Sequence, residues 1–363
     1  MGRDHQVLVG ITRQITHVPY YYANSTPYLP FDLYLSDIVN FDPTSLPRPP
    51  KLAPTAYWPD EFTAQTGIFG QIALKATENL TLMLGARLDW WKFSDIGYNE
   101  AGVEDERIQY NIDKEFTPMV GATWNFSRNW SAYASFTDYI TPQNYRNSAG
   151  ELLDPRRATN YEVGVKGELF DKRLIASVAV FRLEEVNNRM LEFPDAEPNP
   201  GQPVPYIASG ETRSDGAELE LNGLITKSWS MNFGYTYNTT EFVKADENVG
   251  RPFATYTPRH IAKLWSNYRF PFLDGRLSAG VSVVAQSPVE RPILNFAAYL
   301  EKKGYAVVDV ALSYLLNENW RLGMNLNNVL DKTYYAGSVG SSASGNHFYG
   351  EPRNVMFTLR GKF

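Results

Sequence analysis

Apolar and polar residues alternate one by one along this chain, in runs too long for an ordinary globular strand. From Leu80 onward, Leu80, Leu82, Leu84, Ala86, Leu88 and Trp90 fall on one side. Thr81, Met83, Gly85, Arg87, Asp89 and Trp91 fall on the other. Successive side chains of a strand point to opposite faces, so period two makes a strand with one greasy and one polar face. The pattern returns at Phe116–Phe126, Tyr161–Leu169, Trp229–Asn238, Trp320–Asn327 and Val355–Phe363.

Two features set these strands apart from those of a soluble sandwich. Many run ten residues or more, where globular strands average about five to six. A tilted strand needs about 9–11 residues to cross a bilayer. Their connections also alternate in length. Short turns lie near 77–79, 127–129, 171–173, 226–228, 273–275 and 317–319. Long polar connections lie at 18–63, 96–107, 141–157, 187–205, 243–258 and 335–352. Short turns on one side and long loops on the other mark an outer-membrane barrel. Trp90, Trp124, Trp130, Trp229, Tyr237, Tyr268 and Trp320 sit near strand ends, where amphipathic rings favour the headgroup zone.

Composition agrees with this reading. Only 43% of residues are hydrophobic and no apolar run approaches the ~18 residues of a membrane helix, yet alternation hides a greasy face in such a chain. The 23 Tyr, 20 Phe and 8 Trp exclude intrinsic disorder. The absence of cysteine excludes thiol catalysis and cysteine-ligated metal centres. A net charge of -6 argues against a nucleic-acid partner. The expected fold is all-β: a transmembrane antiparallel barrel of about 14 strands.

Several motifs then point to a family. NLNNVLDKTYY at 325–335, YGEPRNV at 349–355 and a terminal Phe363 resemble TonB-dependent ferric-siderophore receptors. So do GARLD at 85–89, YITPQ at 139–143 with LDP at 153–155, NYEVGVKGE at 160–168 and TPRH at 257–260. The order of these matches along the chain is also that of the family. The resemblance implies a bacterial outer-membrane receptor that binds an iron-chelating siderophore for TonB-dependent uptake. Complete members carry a signal peptide, a TonB-engaging motif, a plug and a barrel of roughly 22 strands. Residues 1–363 resemble only the C-terminal part of that barrel, and the opening MGRDHQVLVG does not read as a signal peptide. The expectation is a truncated chain, lacking the plug and the first barrel strands and not competent for transport alone. The alternative is a smaller passive pore, in which the fourteen strands close on themselves.

Site residues follow from strand parity and from the resemblance. Arg87, Asp89, Glu162, Lys166, Glu218 and Glu220 fall on polar faces and would point into the lumen, toward a plug or water. Recognition belongs at the extracellular mouth, on loops held by a rigid scaffold. Trp91 and Tyr139 are inward at the upper ends of their strands. Tyr145 and Arg146 lie in a loop resembling one where related receptors place ligand-facing aromatics. Tyr21 and Trp58 lie in the first long loop, and Ser341, His347, Phe348 and Tyr349 in the last. Aromatic walls suit a bulky, partly planar ferric siderophore. Phe363 resembles the signal read by the barrel-assembly machinery, so that machinery and outer-membrane lipid join TonB among the implied partners.

No cofactor is expected, since iron would arrive already chelated. The four histidines show no metal-ligand spacing. The acidic stretches at 60–61 and 104–106 read as solvated loops rather than calcium sites. No G-x-S-x-G, H-E-x-x-H or Walker motif is present, so the chain does not read as an enzyme.

Overall fold

The computed structural model describes residues 4–22, 56–58, 61–99, 101–193, 204–292, 299–336 and 348–362. Its strands begin with β1 (Gln6–His17), β2 (Tyr20–Tyr22), β3 (Ala56–Trp58), β4 (Phe62–Lys75), β5 (Leu80–Asn99) and β6 (Glu104–Trp124). They continue with β7 (Trp130–Thr141), β8 (Arg156–Leu169), β9 (Leu174–Leu191), β10 (Tyr206–Leu224), β11 (Trp229–Lys244) and β12 (His260–Arg269). Last come β13 (Leu277–Gln286), β14 (Val289–Pro292), β15 (Tyr299–Lys302), β16 (Tyr305–Leu315), β17 (Trp320–Asn327) and β18 (Asn354–Gly361). Fourteen of these follow one another in chain order along one hydrogen-bonded path, as the alternation predicts. The hairpins β2–β3 and β14–β15 stand off that path. Among the described residues no helix is long and apolar enough to cross a membrane.

The chain forms two compact units. The larger holds residues Met1–Leu8, Gln71–Gly85 and Thr117–Phe363. Within it the ladders from β6 to β18 are antiparallel, and each strand satisfies the backbone of the next. Beyond β17, β18 pairs with no other strand among the described residues.

The apolar faces of this unit are not buried. Val163 and Val180, paired across β8 and β9, are each 56% exposed, and Phe357 on β18 is 69% exposed. Fully buried apolar side chains among the described residues are few, for example Leu153, Ala158, Leu174 and Ala179. A soluble sandwich would turn Val163 and Val180 inward. A continuous exposed apolar face calls for lipid.

The same outward face changes character toward the long connections. There Arg157 pairs with Asp138, and Arg182 meets Asp215 at 2.6 Å. Arg213 reaches both Asp215 at 3.2 Å and Glu241 at 2.6 Å. The part-exposed pairs of Arg182 and Arg213 contribute little stability, about 0–1 kcal/mol each. Their position matters more, because charge cannot sit against hydrocarbon. They mark the upper limit of the lipid band, where Phe136 and Tyr161 meet edge to face at 5.5 Å.

On the opposite face, aromatic rings lie across glycines of the neighbouring strand. A Cβ at Gly164 would come within 2.6 Å of the Tyr133 ring. The missing side chain lets that ring lie flat on the sheet, where its hydroxyl donates to Glu162 at 2.5 Å.

The smaller unit comprises Val9–Gly70 and Ala86–Phe116. Here the structure departs from expectation. The stretch 96–107 reads as a long loop, but β5 continues to Asn99 and β6 starts at Glu104. The turn between them is tight. Asn99 Oδ1 accepts from the Ala101 and Val103 amides at 3.0 and 3.1 Å, and Gly102 takes φ 73. Above the lipid both faces of a strand meet water, so the hydrophobic alternation ends while the backbone ladder does not. Alternation therefore locates the lipid boundary rather than the end of the strand. Asn99→Ala should loosen this tip alone, by about 0.5–1.5 kcal/mol. Faster hydrogen exchange at Ala101 and Val103, with amides lower on β5 unchanged, is the expected readout.

Candidate ligand-binding site

In the larger unit, the long-connection ends of β7 to β11 surround a cavity of about 750 Å³. Its wall combines aromatic, cationic and amide side chains. Tyr145, Phe242 and Phe253 supply rings; Arg156, Arg189 and Lys244 supply charge; Gln143 and Asn188 supply amides. Among the described residues Glu185 is its one carboxylate.

Local chain geometry builds each part. Gln143 is 6% exposed, and its Nε2 donates to the carbonyls of Asp154 and Asn187, the latter at 2.9 Å. That ties the β7–β8 connection to β9 and leaves Gln143 Oε1 without a partner. Asn187 takes φ 63, and the β9–β10 register shifts around Gly210. This is a bulge, which re-aims the residues beside it. A Cβ on Gly210 would sit 2.9 Å from Asn188, so glycine is needed there. Asn188 Nδ2 is buried and unpartnered. Buried polar atoms without partners are rare, and two of them line this one cavity.

The cations are held by different means. Arg189 lies over the Tyr145 ring at 4.1 Å and the Tyr206 ring at 5.2 Å, the two rings being 5.2 Å apart. Arg156 meets Glu185 at 3.4 Å. Lys244 donates to Ser209 Oγ. The β11–β12 connection folds back so that Phe253 packs edge-on against Phe242 at 5.7 Å.

Family membership rests on the comparison with known proteins. The TonB dependent receptor-like β-barrel family matches residues 3–329.

The chain belongs to that family.

A ferripyoverdine receptor of Pseudomonas aeruginosa is 30% identical, over 100% of this chain and 43% of its own length. A ferrichrome outer membrane transporter/phage receptor of Escherichia coli K12 is 28% identical, over 82% of this chain and 38% of its own. The crystal structure of the Pseudomonas aeruginosa ferripyoverdine receptor bound to ferripyoverdine superposes with a TM-score of 0.81 at 27% identity, covering 99% of this chain and 46% of that one. A complex of FpvAI with pyocin S2 gives 0.79, also at 27% identity, covering 100% and 47%. The chain thus spans less than half the length of each of these relatives. As a member of a family of transport receptors, it is an outer-membrane β-barrel chain of the Gram-negative type.

The residues singled out in the sequence are distributed as follows. Tyr145 lines the cavity. Its neighbour Arg146 instead braces its own loop, its Nη1 donating to the Gly150 carbonyl at 2.9 Å, while its backbone carbonyl accepts the Tyr206 amide of β10 at 2.9 Å. Tyr139 sits opposite Ala158, beside the cavity but not in its wall. Phe348 and Tyr349 are exposed and lie outside it. Tyr349 stacks on Tyr335 at 4.7 Å with the two hydroxyls 3.2 Å apart, and that hydrogen bond holds the Tyr335 hydroxyl above the usual tyrosine range.

In the smaller unit Trp91 is half-buried on β5. There Asp89 is 2% exposed, bound by Arg87 at 2.6 Å and by Gln65 at 3.0 Å. Tyr21 and Trp58 lie on the paired β2 and β3, but their side chains fall outside the described residues, as do Ser341, His347 and Phe363. In the register of β8, β9 and β10, Glu162, Lys166, Glu218 and Glu220 fall on one face, opposite Val163 and Val180. Lys166 lies 5.0 Å above the Tyr133 ring, and Ser177 reaches Glu220 at 3.4 Å.

Sequence reading missed Arg156, Glu185, Asn188, Arg189 and Lys244. One clue was present: two asparagines, Asn187 and Asn188, interrupt an otherwise alternating strand just before Arg189.

Proposed function

We propose that this chain forms barrel wall of an outer-membrane receptor that captures a ferric siderophore at its long-connection end and imports it with energy passed through TonB. The mouth cavity carries the reading. A ferric siderophore is bulky, partly planar and rich in acceptor oxygens. Aromatic walls hold such a body, while cationic and amide donors orient it. Two relatives named for ferripyoverdine and ferrichrome support the same ligand class. Iron bound by the siderophore needs no ligand from the protein, and no catalytic step is involved. Inward charges such as Glu162 and Glu218 would face a plug or water, and Phe363 would be read by the barrel-assembly machinery.

Uptake of radioactive iron tests the proposal, in cells lacking other siderophore receptors and producing this protein from its native gene. Saturable uptake of at least one ferric siderophore, abolished by a proton uncoupler, is expected. Uptake linear in concentration and indifferent to the uncoupler would identify a passive pore instead.

A further inference from the structure

Resting on that reading, we infer that the ferric chelate accepted at this mouth is anionic, and that Arg189 is the side chain that senses its charge. Among the described residues the cavity wall carries three cations, Arg156, Arg189 and Lys244, against the single carboxylate of Glu185. This local excess of positive charge stands in a chain whose net charge is -6. An arrangement opposed to the global sign focuses the field on an anion entering the cavity.

Arg189 differs from the other two cations. Arg156 already faces Glu185 at 3.4 Å, and Lys244 already donates to Ser209. Among the described residues Arg189 is held only by ring faces, those of Tyr145 at 4.1 Å and Tyr206 at 5.2 Å, and meets no carboxylate. A cation–π contact fixes the guanidinium plane without using its N–H donors. Those donors form a rigid fork that matches a carboxylate or a catecholate oxygen pair. Asn188, the next residue along the bulge, adds the buried, unpartnered Nδ2 donor. The matching ligand is thus rich in acceptors and carries negative charge. A neutral ferric trihydroxamate would draw nothing from the charge of Arg189.

Tryptophan fluorescence quenching on the protein purified from outer membranes tests this with a size-matched panel. One arm contains neutral ferric trihydroxamates; the other contains ferric chelates bearing free carboxylates or catecholates. The expected result is tighter binding of an anionic chelate, weakened at least tenfold by Arg189→Gln and weakened further by added salt. Any neutral chelate that binds should change less than about twofold with the same substitution. Arg189→Lys, which keeps the charge but not the fork, should fall between wild type and Arg189→Gln. A preference for neutral chelates, or equal losses in both arms, overturns the charge assignment while leaving the receptor intact. Failure of wild type to bind any chelate overturns the receptor reading and this inference with it.

Discussion

Replacing Val178 by Arg is expected to destabilise the folded barrel by about 2–4 kcal/mol, the range for a cation facing lipid near mid-bilayer. Val178 is 53% exposed, and on a soluble protein such a surface substitution would be nearly silent. Here exposure means contact with hydrocarbon. Val178 lies a few residues above the short turn before β9, facing outward between Val165 on β8 and Leu219 on β10. A strand of about 9–11 residues crosses the bilayer, so this position falls near its middle. The adjacent residue supplies the control. Ser177 points to the other face, beside Glu220, and Ser177→Lys places a cation next to a carboxylate. That change should shift stability by less than about 1 kcal/mol. Urea titration of folding into lipid vesicles measures both. Equal costs at the two positions would sink the assignment of faces.

Asn328→Ala should cost about 2–4 kcal/mol, through a different mechanism. Asn328 is 2% exposed, at the end of β17 where the last long connection begins. Its Nδ2 donates to the carbonyls of Lys332 and Glu351 at 2.9 and 3.0 Å, and its Oδ1 accepts the Lys332 amide at 2.8 Å. Alanine removes all three bonds and leaves buried backbone groups unpaired. The residue also takes φ 49, a conformation that asparagine tolerates better than alanine. Arg353 bonds to Asp331 beside it, so both ends of the connection are fastened at one point. Asn328→Gly would relieve the backbone but not restore the bonds, so it should recover only part of the loss. Hydrogen exchange at the Lys332 amide, with limited proteolysis of the connection, provides the measurement. Unchanged protection of Lys332 in the alanine variant would show that Asn328 is not the staple.

These two residues also illustrate what was legible beforehand. Val178 belongs to an alternation that assigns a face to each strand residue without knowledge of the strand's neighbours. Asn328 lies in the motif 325–335, which marked the family but did not reveal its task. That task depends on Asp309 and Glu351, 19 and 23 residues away in the chain. Arg146 and Arg189 make the same point within the mouth. Arg146 directly follows Tyr145, whereas no tyrosine stands near Arg189 in the sequence, so only Arg146 stood out locally. Arg146 is engaged by its own loop, whereas Arg189 is carried by a bulge onto the ring of Tyr145, a residue 44 positions earlier.

By itself the sequence determined the class of fold, the number of strands on the main path, the face of each strand and the family. All of these follow from period-two patterning and contiguous motifs, which are local properties of the chain. The tertiary structure decided that the apolar faces stay exposed, that β5 and β6 run on through most of the stretch 96–107, and that Arg189 rather than Arg146 enters the cavity wall. Those outcomes depend on register, bulges and cross-strand partners. Such features are set when distant segments pair, so one strand's sequence does not contain them.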